Sequence, residues 1–252
     1  MPELGSIAWA DATHGSLSTR DKLTLLQQEV QRQFTHYWKR LTGKENMQID
    51  RVDLDKIIIP DTHIAVTSLE VCQATAPKSL VYHSLRTYYW GCILAMQDGL
   101  TVDPETFYVM SLWHDLGLCD DYHTQDGKSK CFAVEGGRAA GQFVKLHSTS
   151  SQAHEVEAAI INHLNLVIPP EDGAEKHLLA AATSLDVVGA RYAELKPEVI
   201  ATVLEQYPRL TFKEDLIRLF NREYDKRPDS RIAFMQQVGN LNRLIKKAPF
   251  ES

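Results

Sequence analysis

The sequence predicts an all-α protein, and three observations carry that prediction. Apolar residues recur at three- and four-residue intervals through most of the chain. Helix-start signals precede those runs, notably Ser18 with Asp21, Pro77, and Asp103 ahead of Pro104. The short apolar run that could pass for a strand, Ile57-Ile58-Ile59, is closed by Pro60 in helical surroundings. With 252 residues, 44% apolar and 24% charged, the chain is long enough for one large domain with a substantial core.

Residues 1–17 read as an irregular arm. Ser18 caps a helix over 19–41, in which Leu23, Leu26, Val30, Phe34 and Trp38 form one apolar stripe. A polar connector spans 43–60, and Asp61 can cap a helix reaching about Thr75. Pro77 opens the next, from Lys78 to about Gln97, with His83 and Arg86 one turn apart and Gly99 as its stop. Asp103 caps a helix that runs through Phe107, Met110 and Leu112 to His114 and Asp115, with Leu116-Gly117 at its end. A polar loop over 118–130 leads to a helix over 132–146. Gly136, Gly137 and Gly141 lie in its body, where each costs about 1 kcal/mol relative to alanine, so close approach of a neighbour is their best explanation. Helices over about 151–163, 174–195, 197–206, 211–225 and 229–247 complete the chain. The last two either pack on the core or make a subunit contact, so a homo-oligomer is open.

The formal net charge of −6 gives no global electrostatic case for nucleic acid. The N-terminus lacks a basic start and an apolar core, and no uncharged apolar run approaches the roughly 18 residues of a membrane helix. The chain therefore reads as a cytoplasmic protein that binds neither nucleic acid nor membrane. Its four cysteines, Cys72, Cys92, Cys119 and Cys131, form no Cys-x-x-Cys pair and read as small buried hydrophobes.

Chemistry concentrates in Trp113-His114-Asp115-Leu116-Gly117, where an imidazole and a carboxylate occupy neighbouring helix positions. His83 and Asp186 lie in equally apolar helices, where unpaired polar groups are costly. One divalent metal ion would satisfy His83, His114, Asp115 and Asp186 together, and such a donor set suits zinc, iron or manganese. Separate caps, salt bridges and satisfied core histidines are the alternative that spacing leaves open.

The pattern His83…His114-Asp115…Asp186 resembles that of the HD-domain superfamily of helical metalloenzymes. Within it, His83-Ser84-Leu85-Arg86-Thr87-Tyr88, His114-Asp115-Leu116-Gly117 and Phe132-Ala133-Val134-Glu135-Gly136-Gly137 are similar to runs of the HD-type cyanamide hydratases. The likeness covers roughly residues 60–225. It implies an HD-domain helical bundle over 60–225. An N-terminal arm and helix (1–59) pack on it, and a C-terminal helix (226–252) belongs to the same globule.

For activity, the resemblance implies hydration of cyanamide, or a similarly small nitrile-like compound, to urea or an amide. The cofactor would be one divalent metal, zinc first and iron or manganese as alternatives, held by His83, His114, Asp115 and Asp186. Zinc would supply hydroxide at neutral pH by lowering the pKa of its water to about 7. Where many relatives carry two further histidines for a second metal, this chain has Glu135 and His163, which favours a single ion with those two residues as catalytic candidates. His163 suits proton transfer or substrate orientation. Arg86 is expected to anchor a carboxylate in the site wall, and Lys130 to reach the pocket mouth. The rivals are a phosphohydrolase using Arg86, Lys128, Lys130 and Arg138, a two-iron oxygenase in which Glu135 and His163 bind metal, and a non-enzymatic metal scaffold.

Overall fold

A computed structural model describes residues 2–41, 52–122 and 130–250. The described residues form twelve α-helices joined by short 3-10 turns, with no strand. The all-α class is as the sequence predicts, whereas several boundaries differ for local reasons.

The N-terminal arm contains a helix, α1 (Ile7–Thr13). Ser6 Oγ accepts from Trp9 N at 3.0 Å, and the helix ends at His14 in the left-handed region. In α2 (Thr19–Leu41) the expected capping box is present: Ser18 Oγ accepts from Asp21 N at 3.2 Å, and Asp21 Oδ2 accepts from Ser18 N at 2.9 Å. Its apolar stripe faces outward, however. Leu23, Leu26, Val30, Phe34 and Trp38 are exposed, whereas Asp21 and Leu25 are buried. A 3₁₀ turn follows at Leu54–Lys56. Helix α3 (His63–Thr75) starts one residue later than an Asp61 cap requires, and its N-cap Thr62 makes no side-chain cap bond.

Helix α4 (Lys78–Asp98) is buried along most of its length and packs against α5 (Pro104–Trp113) and α8 (Ala174–Val188). Such all-round burial marks a central helix. Asp103 caps α5 as expected, accepting from Thr106 N at 2.8 Å. Helices α6 (Phe132–His147) and α7 (Ser150–Asn162) pack closely. The small residues of α6 explain how: a Cβ on Gly137 would meet Ile161 Cγ1 at 2.7 Å and Glu157 O at 3.1 Å.

Helix α8 ends at Val188, not near 195, because Gly189 adopts φ 76° and closes it. After α9 (Pro197–Gln206) and α10 (Phe212–Lys226), the expected last helix is two: α11 (Arg231–Gly239) and α12 (Leu241–Lys246). Asn240, at φ 48°, breaks them apart. No helix among the described residues is long and apolar enough to cross a membrane.

Candidate metal centre

Four helices bring the expected residues to the centre of the bundle. His83 lies on α4, His114 and Asp115 follow the end of α5, His163 closes α7, and Asp186 lies in the last turn of α8. On a regular helix, adjacent side chains diverge. Here His114 is the C-cap that follows α5 and Asp115, at φ −108° and ψ 0°, leads into the 3₁₀ turn Leu116–Leu118. That break, rather than neighbouring helix positions, brings His114 Nε2 within 3.3 Å of Asp115 Oδ2.

His83, His114 and Asp115 each offer a ligand atom within 4.8 Å of the others, and all three are buried. His83 Nε2 lies 3.1 Å from His114 Nε2 and 3.4 Å from Asp115 Oδ2. The other ring nitrogens are occupied. His83 Nδ1 contacts Asp186 Oδ2 at 2.7 Å, and His114 Nδ1 contacts Ser111 O at 2.8 Å. Both acceptors require a proton on Nδ1, so when both rings are neutral two Nε2 lone pairs face one another across 3.1 Å of buried space. A shared cation, either a proton on His83 or a metal ion, satisfies both. Two nitrogens bound at about 2.0–2.1 Å in tetrahedral geometry stand about 3.3 Å apart, so the spacing fits a metal ion.

Asp186 is placed behind His83. Its two oxygens accept from Arg86 Nε (2.9 Å) and Nη2 (2.8 Å), from Trp90 Nε1 (2.8 Å) and from Arg209 Nη1 (3.2 Å). A carboxylate holding the far nitrogen of a metal-binding histidine is a common arrangement that fixes tautomer and ring angle. Phe212 stacks on the His83 ring at 4.5 Å and completes its cage. The Arg86 guanidinium is thus engaged by the Asp186 carboxylate. Trp90 shares the His83 and Arg86 face of α4 at spacings of seven and four, a signal present in the sequence. Arg209 and Phe212 lie beyond α8 and had no local signal.

Electrostatics follow from this geometry. Burial alone would raise the Asp115 and Asp186 carboxyls. The His114 and His83 imidazoles instead hold Asp115 well below the usual range, and the Arg86 and Arg209 guanidiniums, with His83, do the same for Asp186. Burial would lower the His83 imidazole, but Asp115 and Asp186 outweigh it and hold its pKa above the ordinary value.

His163 faces the same cluster. Its Nε2 is 3.8 Å from Asp115 Oδ1, while Nδ1 contacts Ile160 O at 2.6 Å. Burial, then the neighbouring His114, bring its pKa down to about 3, so the ring is neutral near pH 7 with its Nε2 lone pair turned inward. Glu135 is placed differently. It is buried in an ion pair with Arg227, which also donates to Glu223 Oε2 at 2.8 Å. Lys130 is exposed, and its backbone N–H donates to His14 O at 2.7 Å. Lys128 lies outside the described residues, and Arg138 pairs with Asp11 at 3.0 Å.

A cavity of about 200 Å³ opens onto the cluster, with His83, His114, Asp115 and His163 at its buried end. Neither Glu135 nor Lys130 lines it. The wall is largely aliphatic and comes from α2, α8, α11 and α12.

No family model matches the chain. Among characterised proteins it is similar to the cyanamide hydratases DDI2 and DDI3 of Saccharomyces cerevisiae, with 26% identity to each over 160 residues. The overlap covers 62% of this chain and 69% of each relative. The chain is thus a distant relative of proteins bearing that name.

Proposed function

We propose that the chain is a metal-dependent hydratase of the HD-domain type, adding water across the C≡N bond of cyanamide or a related nitrile-like compound. The observation that carries this reading is the convergence of His83, His114, Asp115 and His163 at the closed end of an aliphatic cavity. The similarity to proteins named cyanamide hydratases supports it. The HD domain is assigned to residues 60–225, which contain every residue of the centre.

His83, His114 and Asp115 would hold the ion, zinc by preference given two imidazoles and a carboxylate. Asp186 is the fourth residue of the centre and, as placed, acts through His83. A bound divalent ion supplies a water acidic enough to add to a nitrile carbon at neutral pH. His163 Nε2, neutral near pH 7, would accept a hydrogen bond from the adding water and orient it, while the proton that the water releases ends on the nitrile nitrogen, leaving an isourea that tautomerises to urea. Ile160 O keeps the ring in the tautomer that leaves Nε2 able to accept. The aliphatic wall limits competing water.

The rivals fit the same geometry less well. A phosphohydrolase needs cations facing its cavity. Among the described lining residues Arg32 is the one basic side chain other than histidine, and it is paired with Glu29 at 2.8 Å. The Arg86 guanidinium is committed to Asp186. A second metal held by Glu135 is disfavoured by the Glu135–Arg227 pair. A purely structural metal has no need of a cavity leading to it.

The deciding experiment is elemental analysis coupled to urea release from cyanamide. Zinc-loaded protein is expected to form urea without any nucleotide. Phosphate release from nucleotides with cyanamide untouched would replace this reading by the phosphohydrolase.

A further inference from the structure

Cyanamide has three heavy atoms, and the cavity is much larger than it needs. A single water requires on the order of 10–15 Å³ of enclosed space, whereas about 200 Å³ lies above the cluster. The character of that space matters more than its size. Beyond the four site residues its wall includes Leu25 from α2, Val187 from α8, Phe220 from α10, Ile232 and Met235 from α11, and Leu241 from α12.

Apart from Ser184, the polar side chains of the wall away from the cluster have partners within the protein. Thr183 Oγ1 donates to Ala180 O at 3.0 Å. Asn165 Nδ2 donates to Leu4 O at 2.8 Å, and its Oδ1 accepts from Arg231 at 3.2 Å. Glu29 and Arg32 hold each other. A sugar, phosphate or charged tail placed there would exchange its water for groups already satisfied, which is unfavourable. An alkyl or aryl group would lose no hydrogen bond and would remove aliphatic surface from water.

Building on the hydratase reading, we infer that the preferred substrate carries its C≡N group on an apolar substituent of several carbons, and that cyanamide itself is a minimal substrate. The nitrile carbon sits beside His163 and the metal-binding residues, and the tail runs outward along the α2 and α11–α12 wall. Met235, half-buried on α11, limits its length.

The test is a homologous series, cyanamide through N-ethyl- to N-butylcyanamide, assayed with metal-loaded protein. Each methylene buried raises binding about fourfold, so kcat/KM is expected to climb along the series. Titration of metal-free protein with urea and N-butylurea gives a readout independent of turnover, and the butyl compound should bind more tightly. Met235→Trp, which fills the outer cavity, should lower the ratio of N-butylcyanamide to cyanamide kcat/KM. Turnover of cyanamide with kcat/KM falling along the series would overturn this inference and leave the hydratase reading intact. No turnover of any member by protein shown to contain metal would remove both.

Discussion

At the scale of single residues, the centre is defined by which nitrogen of each imidazole is occupied. His83, His114 and His163 each have Nδ1 tied to an acceptor, and each turns Nε2 towards Asp115. Replacing His114 by Ala should therefore abolish stoichiometric metal binding and urea formation while leaving the far-UV circular dichroism helical. Asp186→Ala is a different case, because it leaves Arg86 and Arg209 buried without their carboxylate. It should cost about 3–5 kcal/mol of stability and weaken metal binding by roughly 10–100-fold through the freed His83 ring. Denaturant unfolding and equilibrium dialysis measure the two effects separately, and full metal occupancy at limiting zinc would exclude Asp186 from the centre. Glu135→Gln separates two roles for that carboxylate. Arg227 keeps Glu223, so the weakened pair with Arg227 predicts a stability loss of about 1–3 kcal/mol with metal content unchanged. Metal loss at unchanged stability would instead put Glu135 on the ion.

At the scale of elements, the site depends on how α5 ends and where α6 begins. Gly117 sits in the turn after Asp115, and a Cβ there would lie 2.0 Å from Phe132 O and 2.8 Å from Gly136 N. Both are backbone atoms, so neither can rotate away. Gly117→Ala should push the turn and α6 apart, cost about 1–3 kcal/mol or more, and reduce metal content because the turn carries Asp115. A melting temperature and zinc stoichiometry equal to wild type would show that the contact relaxes at no cost. Helix starts such as Ser18 and Asp103 were legible in the sequence because a cap is a local bond. The α2 stripe shows the converse. Periodicity announces an amphipathic face but not what, if anything, covers it, and this one is exposed among the described residues. The breaks at Gly189 and Asn240 were missed because the apolar pattern continues across them while the backbone does not.

At the scale of the whole molecule, a metal held by His83, His114 and Asp115 would be coupled to protons. The raised pKa of His83 means that a proton competes for its site on acidification, whereas the lowered carboxyls of Asp115 and Asp186 stay ionised. Because that pKa is raised, metal retention should begin to decline already above the ordinary imidazole value of about 6.5 and fall further with acidification. Dialysis against a fixed zinc concentration from pH 8 to 5 checks this, and retention that persists down to carboxylate titration would show that imidazole protonation does not control release. The cavity is also a property of the whole chain. Its buried end comes from α4, α5 and α7, but its wall needs α2 and α11–α12 from the two flanks.

What the sequence by itself determined is the all-α class and most helix starts, each read from local periodicity and caps. The grouping of His83, His114, Asp115 and Asp186 was an expectation that the HD-domain resemblance singled out and that spacing left open. The tertiary structure alone decided that Asp186 stands behind His83, that Glu135 faces Arg227, and that the cavity is aliphatic and larger than cyanamide. Those outcomes join residues about a hundred positions or more apart, such as His83 with Asp186 across helices and Leu25 with Met235 around one cavity. Such pairings are set by helix packing, which local sequence pattern does not encode.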